Sequence, residues 1–549
     1  MTKPCIETAK RPFLRRTLAA ARRMSRSGKA FALSALLAAT MAADAYAATM
    51  LQPDLKIDKI GEISEGPPAQ MVFGPDGRLY VSLANFSPNA ASVVSFGYDP
   101  LANLVGERVA ASTGGAIGIG FGPVSLGNFG DPGVSVTTGM YVTDTARGGN
   151  SSLRVLTADS SGGYGGAGGT NTVIVQDIAA GYHQANQIVV KPNNDGTSSL
   201  YVGIGVRTPD GASDFPNAGN ARDAAYGGTI STIRDLRQVN GTVVDSAGFG
   251  LNGNASSNAQ ADFANGGPYT STAANKLVVH SSGTRNPFGL GLDASGNLWF
   301  TNNFNRSQAD GTFDGSIDPA THRLKGFTTG DPAPGPNLKN NVYDQFFKAT
   351  AKGDYGYNNT NWRDDAAHNN TEAKSQAALV AGFFDAAKRV RSTTFDNLSR
   401  PSGGYRLYDQ PNINNLIGLG PSSSSDGFAF YTADSFPAAY RGKAFIARWN
   451  PSVMDDEGNI LDYADIVAVD PETGIARRIA LGFANPIDVL EDGFGNLLIA
   501  DFGDSTIWRI SAVAVPEPSS WASLLAGGFL LIVIRRRRTL TSVRRRETC

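Results

Sequence analysis

Four histidines stand in the chain, His183, His280, His322 and His368, and imidazole is the side chain best tuned to take a proton near neutral pH. His183 lies in Gly181-Tyr-His-Gln-Ala-Asn-Gln-Ile-Val-Val190, where a polar segment runs into an apolar β-pattern, so it stands at the start of a strand. Other chemistries are poorly served. No G-x-S-x-G sequence supplies a nucleophile elbow. The glycines at 115, 118 and 120 and those at 162 to 169 lead into no GK[ST] and sit in no βαβ unit, which excludes a phosphate loop. Asp310, Asp314 and Asp318 carry oxygens for a cation but lack EF-hand spacing, and they read as solvated turns. No cluster of Glu and Asp at strand starts suggests a lactonase.

The elements that would position His183 repeat along the chain. A turn, an apolar β-run and a polar loop recur in six copies: 74 to 86, 139 to 149, 198 to 208, 295 to 305, 441 to 450 and 493 to 506. Most follow another β-pattern, as at Ala69 to Phe73 and Ile487 to Leu490, and several precede a third, as at Ser92 to Phe96 and Thr506 to Ile510. Runs of four to six β-branched and aromatic residues bounded by Gly, Asn, Asp and Pro are strands with turns between them. Such a unit cannot bury both faces alone, and about 40 to 50 residues per unit matches propeller blades. The expected fold is an all-β, six-bladed propeller over residues 48–514, and the six similar turns count against a jelly-roll sandwich. Long gaps after the third and fourth copies mark insertions. In one of them Leu379, Phe383 and Ala387 recur at helical spacing behind Thr371, which predicts a helix over Thr371 to Val390.

Composition agrees. Gly makes up 64 of 549 residues, about 12 % against a usual 7 %, and charged residues are scarce, so coiled coils and helical bundles are excluded. The ends differ from the middle. Residues 1–29 carry nine basic side chains, the apolar run Ala30 to Ala39 follows, and Ala45-Tyr46-Ala47 closes the segment. This reads as a signal peptide over 1–47, with Met24 as an alternative start. At the other end Val515-Pro-Glu-Pro518 precedes sixteen apolar or small residues, 519–534, and then seven arginines, the pattern of a short membrane helix with a positive cytoplasmic flank. Both cysteines, Cys5 and Cys549, fall in these ends, which leaves the middle without disulfide or thiolate chemistry. The overall charge of −1 likewise conceals a middle of about −13, acidic enough to disfavour nucleic acid.

Two resemblances sharpen these expectations. The VPEP motif, apolar helix and arginine cluster over 515–549 resemble the PEP-CTERM sorting signal. That implies export in a Gram-negative bacterium, transient anchoring in the inner membrane, exosortase processing, and release to the cell envelope, cell surface or medium. The propeller region resembles the glucose/sorbosone dehydrogenase family of soluble quinoproteins. The similar segments are His183-Gln184 leading into Ile188 to Val190 and Leu200 to Gly205, Thr284-Arg285-Asn286-Pro287, Lys352 to Tyr357, Phe436 to Phe445, and Asn485 to Val489.

The second resemblance implies pyrroloquinoline quinone and Ca2+ at the mouth of the channel, and oxidation of a sugar or polyol. It makes His183 the base and Arg285 and Asn286 the contacts to the quinone carbonyls. Tyr357 stands where a tryptophan is common, and Arg448 is a candidate substitute for a lysine that is not evident in the fifth blade. No metal ligands are indicated. Asn485 and Ile487 occupy places where sugar-oxidising members present arginines. The alternative function is a non-catalytic propeller that binds glycan or protein in the extracellular matrix.

Overall fold

The computed structural model describes residues 48–205, 227–239, 277–303, 343–349 and 417–513, apart from short breaks within them, together with a few two- and three-residue strands elsewhere. The expected signal peptide, residues 371–389 of the expected helix, residues 310–316 of the acidic turn, Tyr357 and the C-terminal segment from 515 lie outside those residues, while Asp318 and Val390 fall in short strands, Ile317–Asp318 and Val390–Ser392. Among the described residues no helix is long and apolar enough to cross a membrane.

Six antiparallel sheets, five of four strands and one of five, form the body. Their first strands are Pro68–Phe73, Ala116–Ser125, Ala185–Pro192, Pro287–Leu292, Ser425–Phe430 and Pro486–Glu491. Each packs against the next and the last against the first, so the sheets radiate from an axis as blades. The six phrases found in the sequence are the second strands of these blades, in order: Leu79–Leu83, Val136–Asp144, Ser198–Ile204, Leu298–Asn302, Ala444–Arg448 and Leu497–Asp501. Both faces of a blade are covered by neighbours, which is why these strands read as nearly unbroken apolar runs. Met71 joins a core with Ile487 and Leu498 of the sixth blade, whereas Val72 beside it turns toward Ile119 and Met140 of the second. Alternation along one strand thus feeds two separate inter-blade cores.

Leu55–Glu62 is the outermost strand of the sixth blade, paired with Thr506–Ala512, and Thr49–Met50 extends the fifth. The N-terminal part of the propeller therefore closes the ring. The long gaps in the sequence fall inside the third and fourth blades, between their second, third and fourth strands.

Inner strands leave a row of backbone N–H and C=O groups facing the axis, and buried groups of that kind must find partners. Three side chains supply them. Gln70 Oε1 accepts from the amides of Ile119 and Ile188, at 2.8 and 3.1 Å, and its Nε2 donates to the Ile188 carbonyl. Asp488 accepts from the Met71 amide at 2.7 Å and from Gln187 Nε2 at 2.9 Å, and Gln187 also donates to the Ala69 carbonyl. These groups link blades one, two, three and six across the channel. Gln70 and Asp488 also line a cavity of about 340 Å³ toward the far ends of the inner strands.

Burial pushes the Asp488 carboxyl up to about 7 from an ordinary 3.8. A carboxyl with a raised folded-state pKa adds stability below its unfolded value and loses it as pH rises through the folded one. The thermal midpoint is therefore expected to carry an Asp488 contribution that fades between about pH 4 and 7. A pH series of melting curves should show that component gone in Asp488→Asn, and an unchanged slope in the variant would contradict it.

Candidate functional site

His183 lies two residues before the inner strand of the third blade, Asn186 and Gln187 at its start, and Arg285 and Asn286 directly before that of the fourth. A bulge-like shift in register near the start of each inner strand separates its first residue from the regular ladder, as between Ala185 and Ile188 and between Pro287 and Leu290. Such shifts re-aim side chains. Here they turn the starts of neighbouring strands toward a common point at one end of the channel.

Gly205, at the end of the second strand of the third blade, marks that point. A Cβ there would lie 2.3 Å from the Cβ of His183 and 2.8 Å from Oδ1 of Asn286. His183 and Asn286 therefore approach within one side chain's width of each other, over a position only glycine can occupy. Arg285 lies close enough to act electrostatically on His183. Burial, and then the Arg285 charge, holds the His183 imidazole well below its ordinary pKa of 6.5. The residue retains some exposed surface while its Nε2 is covered. Such an imidazole is neutral throughout the physiological range, the state a general base requires.

The Arg285-Asn286 turn is held by the second strand of its own blade. Asn302 Oδ1 accepts from both backbone amides, at 3.0 and 3.1 Å, and Asn302 Nδ2 donates to Gln345 Oε1. Arg285 Nη1 donates to the Asn303 carbonyl at 2.9 Å, and Asn303 Nδ2 to Asp426 Oδ1 at 3.0 Å. Asp426 is buried, and burial, with repulsion from Asp344 and Asp488, raises its carboxyl well above the usual range. The site thus rests on a polar layer spanning blades three to five.

The other sequence-indicated residues sit elsewhere. Arg448 is fully buried in the fifth blade, with Nε 2.8 Å and Nη2 2.6 Å from the two oxygens of Asp465 and Nη1 donating to the Leu419 carbonyl. Its charge is matched inside the blade by Asp465, which also accepts from Arg478. Asn485 donates to the Trp449 carbonyl, and Ile487 belongs to the core between the sixth and first blades. Among the described residues no group of three or more His, Cys, Asp or Glu side chains is arranged to hold a metal ion. Sequence reasoning missed Gly205, Asn186 and Asn302. Glycine and asparagine are so common in turns that their types carried no signal until the blades were assembled.

Gly205→Ala is expected to keep the fold but to push His183 and Asn286 apart. A misplacement of about 1 Å costs on the order of a hundredfold in turnover. Activity and ligand affinity compared with wild type at equal thermal midpoints check this, and a fully active Gly205→Ala variant would refute it.

No family model and no curated protein matches the chain. Among solved structures it is similar to a carbohydrate-active enzyme of family AA12 from Trichoderma reesei, at 12 % identity and a TM-score of 0.49, over 86 % of this chain and 98 % of that one. It is also similar to the pyranose dehydrogenase PQQ domain from Coprinopsis cinerea, at 11 % identity and a TM-score of 0.46, over 85 % and 97 %. A third is the PQQ-bound aldose sugar dehydrogenase from Streptomyces coelicolor, at 13 % and 0.41, over 84 % and 99 %.

Proposed function

We propose that the chain is an exported oxidoreductase that oxidises a sugar or polyol hydroxyl with pyrroloquinoline quinone at the end of the channel where the inner strands begin. The observation that carries this reading is the convergence of His183, Arg285 and Asn286 around Gly205. The donor set suits the carbonyl end of the quinone: a guanidinium and an amide beside an imidazole, with His183 and Asn286 packed close over Gly205. When bound, the cofactor supplies a two-electron acceptor for the hydride leaving the substrate carbon. The chain's own residues do the rest. His183 takes the hydroxyl proton on its imidazole, Arg285 and Asn286 orient carbonyl oxygens by donated hydrogen bonds, and the polar layer beneath keeps these groups in place. Ca2+ belongs to the proposal only by resemblance.

The two ends of the sequence support a protein that crosses the inner membrane, is processed by an exosortase and acts at the cell envelope or beyond. A second reading is favoured by Arg448 and Ile487. Since Arg448 is matched by Asp465 and Ile487 is apolar, neither supplies a cation to a cofactor carboxylate, as a propeller that merely binds glycan or protein would allow.

Calorimetric titration of the purified protein with the quinone and Ca2+, followed by dye reduction over a sugar panel, separates the two readings. Binding with sugar-dependent reduction is expected. Absence of both would overturn the enzyme reading in favour of the second.

A further inference from the structure

We infer that Asn186 is a positioning residue that fixes which end of the Asn286 amide meets the ligand, so that this wall of the site takes only a hydrogen-bond acceptor, a carbonyl or carboxylate oxygen. The inference rests on the quinone reading and goes beyond it. Asn186 is buried at the start of the third blade, and its Nδ2 lies 2.8 Å from Asn286 Oδ1 and 3.2 Å from the carbonyl oxygen of Pro287.

The Pro287 oxygen can only accept, so the atom of Asn186 that faces it must be the amide nitrogen. That nitrogen's second hydrogen then requires an acceptor on Asn286, which is Oδ1. With Oδ1 consumed, and packed against Gly205, Asn286 offers Nδ2 to a ligand. No bond to that nitrogen is formed among the described residues. Asn186 is held in its turn, since its backbone carbonyl accepts from Thr143 Oγ1 at 3.0 Å, and Thr143 Oγ1 accepts from the Gly118 amide. The polarity of the site is therefore set one blade away from Asn286, by a chain of groups whose donor and acceptor ends cannot be exchanged.

The same chemistry rejects a ligand that presents a hydroxyl or amine proton at this wall, because two donors would then face each other. Together with Arg285, the wall selects an oxygen that accepts hydrogen bonds.

The test is quinone titration by calorimetry of the full-length wild type, Asn186→Leu and Asn186→Asp. Leu removes the donor without adding charge, and affinity is expected to fall about tenfold, the worth of one hydrogen bond. Asp is isosteric but, when ionised, accepts where Asn186 donates. Asn286 must then turn Nδ2 toward it and Oδ1 toward the ligand, and at pH 8 the loss is expected to reach about a hundredfold. Lowering the pH protonates the introduced carboxylate and restores a donor, so the affinity of Asn186→Asp relative to wild type is expected to recover toward pH 5. A purely structural role would lower both variants alike with no recovery. Wild-type binding with unchanged affinity in both variants overturns this inference alone, whereas a wild type that binds no quinone overturns the function proposed above. If one variant fails to fold, the other decides.

Discussion

Replacing His183 with Gln is expected to lower turnover by about 10² to 10⁴-fold, the usual contribution of a positioned general base, while quinone binding persists. Glutamine keeps much of the volume and a hydrogen-bonding tip but cannot hold a proton. Retained binding would separate loss of the base from collapse of the site. The pH profile adds a second signature. Burial, followed by the Arg285 charge, disfavours imidazolium, so His183 stays neutral at pH values where a free histidine would already be protonated. kcat/KM in the wild type is therefore expected to stay level as pH drops through 6.5 and to fall only well below it. Stability carries the matching sign. A depressed folded-state pKa means that the contribution of neutral His183 is complete above 6.5 and is lost progressively as pH falls. The Gln variant should lack that loss. Wild-type turnover in His183→Gln would remove His183 from the mechanism.

Arg448→Met is expected to destabilise the propeller by about 3 to 5 kcal/mol, because it strands a buried carboxylate. Asp465 is fully buried and loses two charge-assisted hydrogen bonds, at 2.8 and 2.6 Å, leaving Arg478 as its remaining basic partner. Removing both partners is a different experiment. In Arg448→Met with Asp465→Leu no buried charge remains, apolar side chains of similar bulk fill the space, and most of the stability is expected to return. Denaturant midpoints of the two single variants and the double variant measure this directly. A single variant as stable as wild type would show that Arg448 is not matched inside the blade, and would return it to consideration as a partner for a cofactor carboxylate. The expected result assigns Arg448 to the scaffold.

This bears on how much of the site was legible. Arg448 stood as a candidate only because the family resemblance implies a lysine in the fifth blade that this sequence lacks. Its partner lies 17 residues away on the adjacent strand of the same sheet, and sequence separation alone did not reveal the pairing. His183 was marked by its place before a strong β-pattern, its role and those of Arg285 and Asn286 came from the resemblance to the glucose/sorbosone dehydrogenase family, and the structure brings these three together. Asn186, Asn302 and Gly205 position them and were not found. Each acts through a hydrogen bond or a close approach between strands, and such contacts leave no period in a sequence.

The scaffold was more legible than the site. Every one of the six repeated phrases is a second strand, because a strand covered on both faces must be a short apolar run, and the turns around it need Gly, Asn and Asp for backbone reasons that are purely local. What the amino-acid order determined by itself was therefore the number of blades, the location of the long insertions and the strand at which the proposed base stands. Tertiary structure alone decided ring closure by Leu55–Glu62, the plugging of the axis by Gln70, Gln187 and Asp488, the pairing of Arg448 with Asp465, and the direction in which the Asn286 amide points. The reason is one of range. Local propensity and burial are properties of a few neighbouring residues, whereas partnership between buried polar groups depends on which distant strands the ring makes adjacent.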